Sequence, residues 1–239
     1  MRKRIIALVL TIVMLLSVCP ASFALNYEKP TYIDNTLELM QFCHIASHGP
    51  VSIVKAKLYR SIIPETVYLI YLHGTTLGFG KLNNLAASLS SGLSLDSRYL
   101  RTLKSAAKEQ IPFGAKVILA GHSLGGMIAQ QFAADTEMKL RYNILNILAC
   151  GSPCVLTGTR EGALHRLADC NDIVPYTTPL PTRNFTYCLQ KEDGGYLLNP
   201  IDAHQSYFES DVWKAFDCFG VKGGNVSVSI RESDFVSYN

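Results

Sequence analysis

A serine between two glycines, in Gly121-His122-Ser123-Leu124-Gly125, has the pattern of a turn that carries a nucleophile. A serine hydroxyl attacks a carbonyl only when a base takes its proton, so an imidazole and a substrate must both reach it. A sharp turn from strand to helix achieves this, and glycines let the two elements approach closely. The chemistry indicated is acyl transfer through a covalent serine intermediate.

The flanking residues agree with this interpretation. Residues 116–120 form a short apolar run typical of a buried parallel strand. Residues 127–134 consist largely of good helix formers. Strand, serine and helix therefore occur in the order that the chemistry requires, which favours a nucleophile over a serine in an ordinary tight turn.

The base and the acid should follow Ser123, because enzymes built on such a turn carry serine, acid and histidine in that order. Only two of the six histidines, His165 and His204, follow the serine. The carboxylates between Ser123 and His165 are those of Asp135, Glu137 and Glu161. Asp135 and Glu137 lie at or near the helix after the turn, so their expected role is solvation of its end.

His204 is the better candidate for the base. It lies in residues 201–208, which we interpret as a polar loop leading into an aromatic segment. Its acid should follow the end of a strand, and Asp172 does so, with Asp169 as the close competitor. Asp202 lies only two residues from His204 and is interpreted as a supporting or solvated group.

The rest of the chain predicts the elements that position these side chains. Strand and helix patterns alternate, which predicts an α/β architecture with parallel strands joined by helical crossovers. Alternation over residues 226–230 predicts a half-buried edge strand. Further strands are predicted at residues 51–59, 66–72, 143–149 and 164–168, and helices at residues 37–46 and 97–110, the second capped by Asp96.

Three motifs now resemble one known family. Gly121-His122-Ser123-Leu124-Gly125-Gly126, then Asn171-Asp172-Ile173-Val174-Pro175, then Asp202-Ala203-His204 before Tyr207-Phe208 are similar to the motifs of the class 3 lipases. The resemblance extends over about residues 68–208. It implies an α/β-hydrolase fold with a mostly parallel central sheet and helices on both faces. It also implies that Ser123 is the nucleophile, Asp172 the orienting acid and His204 the general base.

The same resemblance implies an oxyanion hole formed by the main-chain N–H groups of Thr75 and Leu124. The segment before Thr75 departs from the family, which more often carries Arg where this chain has His73. The tryptophan usual soon after that loop is missing as well, since Trp213 is the only tryptophan. The expectations for the triad therefore do not extend to the substrate pocket or a lid.

The N-terminus has the pattern of an export signal. Arg2, Lys3 and Arg4 precede an apolar run over residues 5–18, and small residues precede a cleavage site after Ala24. The run is too short for a comfortable membrane span, so we expect export rather than anchoring. We therefore predict a signal peptide over residues 1–24 and a single domain over residues 25–239.

Charge and cysteine usage exclude several classes of function. Without the three basic residues of the signal, the chain carries 19 basic and 19 acidic residues, and no basic stripe suggests nucleic acid. No Cys-x-x-Cys occurs and the histidines are far apart, which argues against a zinc site. Six cysteines remain after export; we expect a disulfide at Cys170 or Cys188.

These observations predict a secreted serine hydrolase that cleaves carboxylic esters, with acylglycerol lipids as substrates, transient contact with a lipid surface, and no metal or organic cofactor. The alternatives are a non-lipolytic carboxylesterase, a phospholipase, a feruloyl esterase, and an inactive hydrolase-fold protein that binds ligands. The leucines at positions 82, 85, 89 and 93 predict a core-facing helix rather than a lid.

Overall fold

The computed structural model describes residues 28–74, 97–155, 159–177, 185–196 and 199–239. The predicted signal peptide, Thr75, Asp96 and the leucine stripe of residues 82–93 lie outside the described residues.

The described residues form five α-helices and nine strands. The helices are α1 (Thr36–Ala46), α2 (Arg98–Gln110), α3 (Leu124–Ala134), α4 (Thr136–Arg141) and α5 (Pro200–Glu209). The strands are β1 (Thr31–Ile33), β2 (Val51–Tyr59), β3 (Glu65–Leu72), β4 (Lys116–His122), β5 (Asn143–Cys150), β6 (Ala163–Asp169), β7 (Tyr187–Leu189), β8 (Ser227–Ile230) and β9 (Val236–Tyr238).

All nine strands belong to one sheet. Its order is β1-β8-β2-β3-β4-β5-β6-β7, with β9 also paired to β2. The strands from β3 to β7 run parallel to one another, whereas β2 is antiparallel to β3, β8 and β9, and β1 is antiparallel to β8. The predicted α/β fold with a mostly parallel central sheet is confirmed.

Helices pack on both faces of the sheet and bury two cores. On one face, α1 and α5 pack over the sheet with Met40, Tyr207 and Trp213 in the core. On the other face, α2 and α3 contribute Leu103 and Phe132. Parallel strands are joined by crossover connections, and α2 and α3 belong to two of these connections. The turn after β4, which carries Ser123, therefore has a helical layer on either side.

Two of the predicted elements need correction. The residues at positions 227–230 form a strand, but it lies between β1 and β2 and is not at the edge. The strand outside it is β1, which has only three residues and is too short for a local sequence pattern to identify. Asp96 is the predicted cap of α2, but the N-cap is Ser97, whose side chain accepts a hydrogen bond from the Leu100 N–H.

The cysteines also differ from expectation. Cys170 and Cys188 are free thiols, as are the other four cysteines among the described residues. The Cys188 thiol instead lies 3.1 Å from the hydroxyl of Tyr176. The predicted disulfide is therefore wrong for this structure.

Candidate active site

Ser123 lies at the turn between β4 and α3 in a strained conformation. Its φ and ψ are 56° and −125°, and no other non-glycine residue of the described ranges has a positive φ. This region is unfavourable for side chains with a Cβ, so the surrounding structure must hold the turn in place. Its Oγ is buried and has no hydrogen-bond partner among the described residues.

The glycines around the turn allow a close approach that larger residues would prevent. A Cβ on Gly121 would lie 2.6 Å from the carbonyl carbon of Gly125, and a Cβ on Gly125 would overlap the carbonyl oxygen of Leu72. Because Gly121 and Gly125 lack side chains, the elements β3, β4 and α3 can meet at Ser123.

His204 and Asp172 form a buried pair. The His204 Nδ1 lies 3.0 and 2.9 Å from the two carboxylate oxygens of Asp172, and the Asp172 side chain is fully buried. A carboxylate accepts, so the Nδ1 of His204 carries a proton and donates it to this bond. In a neutral ring this leaves the Nε2 as an acceptor, and the Nε2 is buried without a hydrogen-bond partner among the described residues.

The carboxylate of Asp172 is held by two more donors. Its Oδ1 accepts a hydrogen bond of 3.0 Å from the Val174 N–H, and its Oδ2 accepts one of 3.0 Å from the hydroxyl of Tyr207. The Tyr207 hydroxyl in turn accepts a bond of 2.8 Å from the Asp169 N–H. Tyr207 lies three residues after His204 on α5, so one helix orients both ends of the pair.

α5 replaces the predicted polar loop. Asn199 caps the helix by accepting hydrogen bonds from the Ile201 and Asp202 N–H groups, and Pro200 occupies the first turn. The prediction that His204 lies on a loop is wrong, although the Asn-Pro pair was a sequence signal for a helix start.

The other candidates have different roles. The Asp169 carboxylate accepts bonds from the Asn171 and Tyr196 N–H groups, and burial raises its pKa. Asp202 is exposed and accepts a bond from the Asn199 side chain.

His165 lies in β6 and donates from its Nδ1 to the Asn146 side-chain oxygen at 2.7 Å; burial lowers its pKa. Of the candidate acids and bases, the structure brings together Asp172 and His204.

His122 is a site residue that sequence reasoning missed. Its Nε2 lies 2.7 Å from the main-chain oxygen of His204, and the ring centroids of the two histidines are 4.4 Å apart. Burial, and next the nearby His204, hold the pKa of His122 well below its ordinary value. The neutral ring therefore links the end of β4, just before Ser123, to α5.

The chain before Thr75 contacts the same turn. A Cβ on Gly74 would lie 2.9 Å from the Ser123 Cβ. The Tyr99 hydroxyl is within hydrogen-bond distance of the His73 and Pro50 carbonyl oxygens, at 2.8 and 2.6 Å. Burial, with a smaller contribution from His44, lowers the pKa of His73 to about 4.

Leu124 is the first residue of α3. The first N–H groups of a helix have no partner within it, so the Leu124 N–H can donate to another acceptor. Within the described residues, no cluster of three or more histidine, cysteine or acidic side chains could hold a metal ion. No helix there is long and apolar enough to cross a bilayer.

Comparisons with known proteins point to one family. The model of the family described as lipase (class 3) matches residues 59–181, just over half of the chain, a range that includes Ser123 and Asp172 but ends before His204. No curated protein matches the sequence significantly.

Among solved structures, the chain is similar to the nonglycosylated LIP2 lipase of Yarrowia lipolytica. The identity is 18% and the TM-score 0.29, over 56% of this chain and 62% of that one.

Proposed function

The chain belongs to the class 3 lipase family, and on that premise we propose that it is a serine ester hydrolase acting on acylglycerol lipids. Ser123 is the nucleophile, His204 the general base and Asp172 the orienting acid. The observation that carries this proposal is the buried His204–Asp172 pair, whose two hydrogen bonds of 3.0 and 2.9 Å leave the Nε2 of His204 unpartnered among the described residues.

In this mechanism, the Nε2 of His204 takes the Ser123 proton as the Oγ attacks the ester carbonyl. The imidazolium that forms is stabilised by the Asp172 carboxylate, which also keeps the proton on Nδ1. His204 then protonates the leaving alcohol, and water releases the acid from the acyl-enzyme by the same steps in reverse order.

The tetrahedral intermediate carries a negative oxygen that needs donors. We assign this role to the main-chain N–H groups of Leu124 and Thr75. The position of Leu124 at the start of α3 supports the first assignment, because its N–H is free of the helix ladder and lies at the positive end of the helix dipole. Gly74, beside the Ser123 Cβ, supports the second.

Ser123→Ala tests the assignment of the nucleophile. We expect hydrolysis of a short-chain nitrophenyl ester to fall by more than about a thousandfold, since triad members act as a unit. A fluorophosphonate probe should modify Ser123 in the wild type, as located by peptide mass spectrometry. Ser105→Ala, an exposed serine on α2, is the matched control and should keep full activity and labelling.

Full activity of Ser123→Ala would refute the proposal, as would labelling at another residue. Tributyrin, a long-chain triacylglycerol, phosphatidylcholine and a feruloyl ester then define the substrate class. Faster hydrolysis of the phospholipid or the feruloyl ester than of both triacylglycerols would overturn the acylglycerol assignment.

We also propose that the chain is exported, with residues 1–24 removed and residues 25–239 forming one domain. The basic residues followed by an apolar run support this proposal. Intact mass analysis of protein from the culture medium tests it. A mature chain that starts at Leu25 is expected, whereas a cell-retained chain that still starts at Met1 would contradict it.

A further inference from the structure

Four large apolar side chains are exposed at one end of the sheet. Ile62 and Ile63 lie in the turn before β3, Phe113 lies in the turn before β4, and Leu140 lies at the end of α4 before β5. Their exposed fractions are 101%, 76%, 75% and 75%. We call these four residues the basal patch. Exposed apolar groups that share one surface commonly mark an interaction site.

The three loops are neighbours. β3, β4 and β5 are adjacent parallel strands, so their amino-terminal ends meet at one edge of the sheet. The Gly114 N–H donates a hydrogen bond of 2.8 Å to the Arg141 carbonyl oxygen, which joins the second loop to the third. An ion pair between Lys116 and Glu65 joins the first strand to the second. The basal patch is therefore one surface.

Basic residues flank the apolar groups in sequence. The segments 60–65, 112–116 and 139–141 carry four basic residues, Arg60, Lys116, Lys139 and Arg141, and a single acidic one, Glu65. Arg60 and Lys116 both pair with that carboxylate. The nearby Glu137 is itself paired with Lys104 and Lys108. The net charge of the three segments is thus positive.

We propose that the basal patch docks on the surface of an anionic lipid bilayer. Isoleucine and phenylalanine side chains in the two turns, and the leucine at the end of α4, can enter the boundary between headgroups and acyl chains. Arginine and lysine beside them pair with lipid phosphates. Arg141 already lies by an apolar member of the patch, with its guanidinium carbon 6.0 Å from the centre of the Phe113 ring.

A second copy of the chain is a poorer occupant of the same surface. A two-fold interface would place the patch against itself, because such interfaces use the same surface on both subunits. The net positive charge of one patch would then face the same net charge on the other copy, and like charges opposed in an interface disfavour association. Anionic lipid has the complementary charge.

Docking by this surface directs the candidate active site away from the bilayer. Ser123 lies at the carboxyl end of β4 and Lys116 at its amino end, a separation of roughly 20 Å for a strand of this length. The basal patch would therefore tether the protein rather than admit substrate. The proposal does not depend on Ser123 or on ester hydrolysis.

Vesicle sedimentation with the Ser123→Ala protein tests the proposal, since this variant removes hydrolysis of the vesicles from the measurement. We expect at least about tenfold tighter binding to phosphatidylcholine vesicles with 30% phosphatidylglycerol than to pure phosphatidylcholine. Raising the salt from about 0.1 to 0.5 M should weaken that binding by about tenfold.

Ile62→Ser with Ile63→Ser should lower the affinity for the anionic vesicles by at least about tenfold. Both side chains are exposed, so melting curves should match the parent. The matched control is Ile45→Ser. Ile45 is 71% exposed at the end of α1, and the ring of the adjacent His44 contacts that of His73 near the candidate site. This variant should bind like the parent.

Equal binding to both vesicle types, or none, would overturn the proposal. A loss of binding in Ile45→Ser but not in the double variant would also overturn it and indicate docking by the opposite edge. Light scattering that shows a dimer abolished by the double variant would assign the patch to a second copy instead.

Discussion

The Nε2 of His122 donates a hydrogen bond to the main-chain oxygen of His204 across 2.7 Å. A carbonyl oxygen only accepts, so the proton of the neutral His122 ring lies on Nε2. Burial and the neighbouring imidazole keep the pKa of His122 well below its ordinary value, which favours the neutral ring. The residue next to Ser123 thus holds the backbone of the proposed base.

His122→Leu should therefore impair turnover more than binding. Loss of the hydrogen bond lets α5 shift relative to Ser123, and we expect kcat to fall by about ten- to a hundredfold with KM within about twofold. His122→Gln keeps an amide donor near the Nε2 position and should recover most of kcat. Steady-state kinetics on a soluble ester, with chemical denaturation of each variant, measure both effects. Equal impairment of the two variants would show that only ring packing matters.

Tyr207→Phe removes a hydroxyl that Asp172 and Asp169 both use. The Asp172 Oδ2 loses a donor and the Asp169 N–H loses an acceptor, while stacking of the ring on Trp213, at 5.1 Å, is retained. We expect the free energy of unfolding to fall by about 1 to 3 kcal/mol and kcat by about tenfold. Tyr59→Phe, at the far end of β2, is the control. Unchanged unfolding and unchanged kcat in Tyr207→Phe would refute the role of the hydroxyl.

The central strands were predictable because each one carries its own signal. Residues 51–59 are dense in apolar and β-branched side chains, and the strand β2 has those same limits. β1, β7 and β9, each three residues long, gave no such signal, because their stability comes from pairing with strands distant in sequence. The alternation in β8 consequently predicts an edge strand, whereas β1 covers that edge.

Two residues of the candidate site could be found from the sequence, and one contact could not. Chain order and strand ends led to Asp172 and His204, which the structure places in contact. The contact between His122 and His204 joins residues 82 positions apart, and no local pattern reports such a bond. The assignment of these side chains to catalysis stays a prediction that the experiments on Ser123 test.

Stability should depend on pH through His73. Its pKa is about 4 in the folded protein, below the ordinary value of 6.5, so the unfolded chain binds more protons between these two values. The free energy of unfolding should therefore fall as the pH drops from 6.5 to 4, and this group should have no effect above 6.5. Because the ring is partly exposed, we expect its contribution to be about 1 to 2 kcal/mol.

Urea denaturation of the wild type and His73→Leu at pH 7, 5.5 and 4.5 measures this dependence. The variant should lose less free energy of unfolding than the wild type over that range. His48→Leu removes an exposed imidazole and should follow the wild type. The same pH dependence in all three proteins would contradict the assignment to His73.

Gly151, which follows β5, is a position where a single methyl group should disturb the candidate site. Its φ is +56°, and a Cβ there would lie 2.6 Å from the Tyr207 Cε2 and 2.8 Å from the Asp172 Oδ2. Gly151→Ala should lower the free energy of unfolding by about 3 kcal/mol or more and kcat by at least about tenfold, because the carboxylate must move away from His204.

Gly114→Ala isolates backbone strain from this collision. Gly114 has a φ of +76°, but nothing lies within 4 Å of a Cβ built there. Its substitution should cost only about 1 to 2 kcal/mol and leave kcat unchanged. Chemical denaturation and ester hydrolysis of both variants make the comparison. Equal losses of kcat would mean that the space around Asp172 and Tyr207 does not control turnover, since the two variants differ in contacts and not in the sign of φ.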